Sequence, residues 1–564
     1  LKRALELAEI ADCQLVLVGV SDLRPGSLDE VNWPIIAGPW IGQEMSTVEF
    51  WKEQFARETN RVCLGTFGGT GSDSGTLRMQ AAAAVSMGVD RDKVMDAVTR
   101  SAAEVSGAGN WLGQIAPGFR ADLALFSGDP LDPATPVSRT MIAGKTVYQS
   151  PVQSSSVDGQ QVVDVEEEVM DRLSDLSMPK AYVLSSSRIL RPSGRFRSGR
   201  ITVVDGSVTA LSLDPPKGKA DGAESADEEG VLPVLNLGDF VVTPGLVTAH
   251  LPSGSGSSTG EPDSSYYRAA NGFDFQSERV KRLVESGVLL AAIAPPSNNV
   301  LAGQISAARL AAAEPILDAS IADKMVVSSS ARRTDRFPAS MEGQFEFIRR
   351  RFAGDLEPNR TKMPVVVAET LRANSKQRFD QLSSAKRFAV IEAQSPAELR
   401  GSLRLIKSLG LDARILLPSD LKPILPQVKK EKLGLIVRTA RASDPDYYLD
   451  QIIEAASAGS KIGIAAEDAS SLRSTAALMV GYGVKPQRAL RILTVEAATC
   501  VGMPSGSATI AVGQPADLVV WSGPPYKLTS RCLGVLSDGK MIDQDDPAMG
   551  DLTANAISTR VPSP

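Results

Sequence analysis

Val242-Thr243-Pro244-Gly245-Leu246-Val247-Thr248-Ala249-His250 decides the fold. A Pro-Gly step punctuates the chain, and an apolar, β-branched run follows it, as a buried strand requires. Seven more such runs follow, at 288–294, 324–328, 364–369, 388–393, 413–418, 433–438 and 461–466. Helical patterns lie between most of them, for example at 397–409 and 472–481. Strands alternating with helices make parallel sheets, and eight such pairs predict an α/β chain with a (β/α)8 barrel. Antiparallel signals flank the barrel. Runs 200–204 and 207–213 meet at Asp205-Gly206, a hairpin signal, and 515–521 with 532–542 form a similar group. A small β domain drawn from both ends of the unit accounts for them.

The chain also repeats itself. Residues 76–149 align without a gap onto 471–544 at a constant offset of 395. Leu77-Arg78 meets Leu472-Arg473, Ala121-Asp122-Leu123 meets Ala516-Asp517-Leu518, and Gly144-Lys145 meets Gly539-Lys540. Residues 1–23 align onto 399–421 at an offset of 398. One complete unit and the last part of an earlier one are therefore expected.

Bulk properties narrow the function. A chain of 564 residues with 43% hydrophobic and 22% charged residues reads as a soluble, multidomain globular protein. A net charge of −6 and no basic stripe speak against nucleic acid as a partner. No apolar run is long enough to span a bilayer. Cys13, Cys63, Cys500 and Cys532 form no CxxC pair, so a cysteine-rich zinc site is not expected. The compartment is left open. The most telling count is a single histidine, His250. Histidine is the commonest metal ligand and neutral-pH base, so little histidine chemistry is open to this chain.

Several phrases carry a family resemblance. Residues 242–250 resemble the opening strand of an amidohydrolase barrel, which typically reads TPGLIDAHTH. Ser286-Gly287-Val288, Ala294-Pro295-Pro296-Ser297-Asn298-Asn299 and Gly303-Gln304 resemble its second strand and the following loop. Ala516-Asp517-Leu518-Val519-Val520-Trp521-Ser522-Gly523 resembles the family's closing ADLVVWSGDP, and 121–130 repeats that ending. The chain thus resembles the amidohydrolase superfamily, closest to its imidazolonepropionase-like members, and does so in tandem. The resemblance implies a TIM barrel plus composite β-sandwich domain, preceded by the C-terminal part of a second such unit. The implied division is 1–109 for strands 6–8 of the first barrel and 110–150 for its β-sandwich strands. A linker at 151–179 follows. Residues 180–245 with 505–545 form the second β-sandwich, 246–504 the complete barrel and 546–564 a tail. The missing part of the first barrel is expected as upstream sequence or another chain, and an oligomer is open.

The family hydrolyses C–N bonds of amides and cyclic ureides with one or two divalent metals. Its ligands end the barrel strands. Strand 1 carries an HxH pair, whereas here His250 is followed by Pro252. Strand 4 often carries a bridging lysine, and the run at 364–370 has none. Strand 5 carries a histidine, where Glu392 stands. Strand 6 carries another, where only Leu416-Leu417-Pro418 is found. Strand 8 carries an aspartate that doubles as general base. Glu467 or Asp468 falls there, and Asp73 aligns with Asp468 in the first unit. The vestigial metal set is His250, Glu392 and Asp468, with Asp468 and Glu467 as the remaining catalytic candidates.

Three readings follow. The first is a non-catalytic relative with degenerate metal sites, no expected cofactor, and a structural, binding or assembly role. The second is an active hydrolase with a carboxylate-rich site that holds Zn, Mn or Mg. The third has the missing upstream part supply the histidines.

Overall fold

Residues 15–18, 33–38, 45–57, 61–66, 77–86, 88–150, 180–213, 232–254, 262–355, 376–440 and 447–542 are described by a computed structural model. Its central element is an eight-stranded sheet that curls into a barrel. In chain order the strands are β1 (Leu246–Pro252), β2 (Val288–Ala294), β3 (Leu301–Arg309), β4 (Ile316–Val326), β5 (Phe388–Glu392), β6 (Asp412–Leu416), β7 (Gly434–Arg438) and β8 (Ile462–Ala465). Each pairs with the next. The seam between β1 and β8 is bridged by one side chain. Thr248 Oγ1 donates to the carbonyl of Ala466 at 2.7 Å and accepts from its N–H at 3.2 Å.

The barrel departs from uniform α/β alternation at one place. β3 runs antiparallel to both β2 and β4, while the other neighbours are parallel. Only residues 295–300 join β2 to β3, and only 310–315 join β3 to β4. A parallel crossover needs a dozen or more residues, so these connections dictate hairpins. The sequence expectation had Gly303-Gln304 in a loop and began the next strand at 324. The structure instead makes 301–309 a strand and starts β4 at Ile316. The strand expected at 364–369 lies outside the described residues. β4 pairs directly with β5, from Ala322 beside Phe388 to Val326 beside Glu392.

A second eight-stranded sheet draws on both ends of the unit. Strands Ala181–Leu190, Phe196–Val204, Ser207–Ser212, Val234–Asn236 and Val241–Pro244 join Leu518–Trp521, Cys532–Ser537 and Lys540–Met541. Val241–Pro244 is the hinge, antiparallel to Leu518–Trp521 and parallel to Ala181–Leu190. The Asp205-Gly206 turn has φ of +45° and +81°, both positive as a tight two-residue hairpin demands. One hydrogen bond braces this sheet internally, and one charged cluster locks it to the barrel. Buried Trp521 donates from Nε1 to Thr243 Oγ1 at 2.9 Å. Arg309, at the end of β3, grips Asp517 through two bonds of 2.6 and 2.7 Å and reaches Asp538 at 2.5 Å. The aspartate of the ADLVVW phrase is therefore a structural clasp.

The N-terminal part has three short parallel strands, Leu17–Val18, Ile35–Ala37 and Val62–Leu64. Helices Met45–Ala56, Leu77–Ser86, Arg91–Val98 and Arg100–Val105 accompany them. Ile35, Phe50, Trp51, Val62, Ala81 and Val94 fill one core. A three-stranded antiparallel sheet follows, Leu123–Phe126, Val137–Ile142 and Lys145–Gln149. Among the described residues, no helix is long and apolar enough to cross a membrane.

Candidate functional site

Side chains alternate across a strand, so Lys324 follows Ala322 and Glu392 follows Val390 onto one face. That face is lined by Val247, Leu290, Ala292, Ala322, Val390 and Ile436, which form one buried cluster drawn from the barrel strands. Asp323, one residue off, points the other way and pairs with Arg378 and Arg387. His250 comes in from β1, where the register shifts between Thr248 and Leu251.

These three side chains meet in the interior. Lys324 Nζ lies 3.1 Å from His250 Nε2 and 3.3 Å from Glu392 Oε2. It also donates to the Pro295 carbonyl at 2.9 Å and to Ser297 Oγ at 3.0 Å. Ser297 donates to Glu392 Oε2 at 2.5 Å, and Ser328 donates to Glu392 Oε1 at 2.9 Å. Lys324 and Glu392 are each only 1% exposed and His250 5%. Burial pushes the Lys324 ammonium below its ordinary range, and the Glu392 carboxylate opposes that shift. Burial, and after it the Lys324 charge, hold the His250 imidazole well below the usual histidine range. An ammonium has no acceptor, so the neutral imidazole accepts at Nε2. Chemically this is a satisfied ion cluster. Both Glu392 oxygens and the inward imidazole nitrogen are already engaged.

The other candidates stand elsewhere. Asp468 is exposed and caps the helix Ala469–Gly481, accepting from Ser471 N at 2.7 Å and Ser471 Oγ at 2.6 Å. Glu467 has a side chain 67% exposed and faces Arg279 at 3.4 Å. Pro252 is half-buried, and its carbonyl accepts from Arg279 at 3.4 Å. Leu416 is an apolar core residue. Asp73 lies outside the described residues. So His250 and Glu392 come together, and Glu467 and Asp468 do not join them. Lys324 escaped the sequence reading, which looked for a strand-4 lysine at 364–370. The missed signal was a lysine inside an apolar run, Lys324-Met325-Val326-Val327.

Residues 392–548 match the profile described as the amidohydrolase family, and 74–148 match a second profile of the same description. Both stretches are thus identified with the amidohydrolase family. Among solved structures, an amidohydrolase from Thermotoga maritima MSB8 resembles this chain with a TM-score of 0.52. It is 21% identical, over 64% of this chain and 99% of that one. At that identity the likeness speaks for the fold, a TIM barrel with a β-sandwich domain. A β-aspartyl dipeptidase from Fervidobacterium islandicum AW-1, solved with a β-Asp-Leu dipeptide, is also similar. It is 11% identical with a TM-score of 0.38, over 65% of this chain and 97% of that one. No curated protein matches the chain.

Amidohydrolases generally depend on metal. One imidazole and one carboxylate converge, and the space between them holds the Lys324 ammonium. The separations around that nitrogen, 2.9 to 3.3 Å, suit hydrogen bonds. Metal–ligand bonds would need about 2.0–2.6 Å. Among the described residues, no three His, Cys, Asp or Glu side chains gather as a metal site. Among the described residues, His250 and Glu392 are spaced for hydrogen bonds with Lys324 and not for a shared metal.

Proposed function

We propose that this amidohydrolase-superfamily protein is non-catalytic, its metal site replaced by an internal ion cluster, and that it serves a structural, binding or assembly role. The observation that supports this reading is the buried Lys324 ammonium held between His250 and Glu392. A fixed positive charge there repels a second cation and takes up the lone pairs that a metal would use. Without the metal, neither polarisation of a substrate carbonyl nor activation of water is available. The fold then persists for what its surfaces do, because function resides in sites and not in architecture.

The test is turnover. Protein incubated with Zn, Mn and Mg should leave amides and cyclic ureides intact. Hydrolysis that is abolished by His250→Ala, in protein that stays folded, would sink the proposal in favour of an active, carboxylate-rich site.

A further inference from the structure

The offset of 395 relates single hydrogen bonds as well as letters. Arg78 donates from Nε to the Pro130 carbonyl at 2.8 Å, and from Nη2 to the carbonyls of Asp132 and Thr135. Arg473 donates from Nε to the Pro525 carbonyl at 2.8 Å, and from Nη2 to those of Lys527 and Ser530 at 2.9 and 2.6 Å. Every partner is displaced by the same offset. Arg78 lies 4.9 Å over the Phe126 ring, and Arg473 lies 5.0 Å over Trp521, the corresponding ring. Asp122 accepts from Ala143 N at 2.7 Å, as Asp517 accepts from Asp538 N at 3.1 Å.

The two sets also meet: corresponding residues share one buried cluster, and the segment 130–135 reaches the helix Ala469–Gly481. Ala82 and Ala477 occupy the same position in each set, and both are buried in one hydrophobic cluster with Ala134, Tyr526 and Leu528. Asp132 and Lys527 are counterparts too, and each lies in the other's electrostatic field. The Pro133 carbonyl reaches across to the helix Ala469–Gly481, so close that a Cβ on Gly481 would fall 2.6 Å from its oxygen. Counterparts that face one another across shared buried ground are what a two-fold, isologous arrangement brings together. In a homodimer a charged residue beside the axis faces its own copy and is repelled. Here the two positions hold opposite charges, which two non-identical copies can arrange and two identical ones cannot.

We infer that the two copies form a pseudo-dimer within one chain, docked about a local two-fold axis through residues 130–135 and 525–530. This surface is separate from the barrel interior, and the inference holds whether or not the protein is catalytic.

The test uses the full-length protein with a site-specific protease site placed within 151–179, cut after folding. The halves should then migrate together as one 1:1 species at micromolar concentration. Gly481→Leu should weaken their association roughly tenfold or more, because the new side chain overpacks the interface against the Pro133 backbone. Gly481→Ala is the gentler variant, and it favours the helix itself. Loss of association with helix content retained therefore isolates the contact. Halves that separate with Gly481 intact, or association unmoved by both substitutions, overturn the inference.

Discussion

The ammonium nitrogen of Lys324 on β4 stands 3.1 Å from Nε2 of His250 on β1, inside the barrel. The same nitrogen stands 3.3 Å from Glu392 on β5. One cation thus ties three strands of the sheet and satisfies a buried imidazole and a buried carboxylate.

Removing that cation should be costly. Lys324→Met leaves Glu392 buried with two hydroxyl partners and no counter-charge. Breaking one side of a buried pair costs about 3–5 kcal/mol, read from urea denaturation. Adding Glu392→Gln removes the stranded charge and should recover part of the loss. A double variant no more stable than Lys324→Met would contradict the pairing.

The barrel seam gives a smaller effect. Thr248→Val keeps the shape but strands the N–H and carbonyl of Ala466. The expected loss is about 1–3 kcal/mol, the cost of an unsatisfied buried polar group. A variant as stable as the parent would show that β1 and β8 are held by other contacts.

Much of this architecture was legible in the sequence. Apolar runs of strand length marked seven of the eight barrel strands, six of them within two residues at each end, while the run at 324–328 caught only the end of β4 and the run at 364–369 lies outside the described residues. Asp205-Gly206 announced its hairpin. The reversed strand β3 was hidden because its residues, Leu301 to Arg309, carry glycine, glutamine and alanine in place of a β-branched run. Connection length was the better guide, since six-residue links cannot hold a crossover helix. The barrel interior was half legible. His250 and Glu392 were found because strand ends can be counted. Lys324 was not, because a fully buried lysine reads as a surface residue until its partners, 74 and 68 positions away, are brought to it.

Buried thiols should be inert. Burial pushes Cys500 up to about 12 and Cys63 up to about 11. Both side chains are buried. At pH 8 neither supplies appreciable thiolate, so a maleimide should label them only after unfolding, as peptide mass spectrometry would report. Rapid labelling of Cys500 in native protein would contradict its place against the carbonyls of Leu435 and Lys461.

Asp132 should oppose stability at neutral pH. Burial raises its carboxyl above the ordinary 3.8, against the opposing pull of the Ala134 N–H and Lys527. A folded-state value above the unfolded one favours the folded state at low pH, and that advantage is lost as pH rises through the folded value. Asp132→Asn should therefore raise Tm at pH 7, with a gain that shrinks toward pH 3. Calorimetry at both pH values checks this, and a lower Tm for the variant at pH 7 would show that the charge is net favourable.

The most direct measurement is elemental analysis of purified protein, as isolated and after incubation with Zn, Mn and Mg. The account predicts no stoichiometric metal under any of these conditions, and no change when Lys324 is kept and His250 is replaced by alanine. One metal per chain, lost on replacing His250 or Glu392, would contradict it and return the barrel to the family's hydrolytic chemistry.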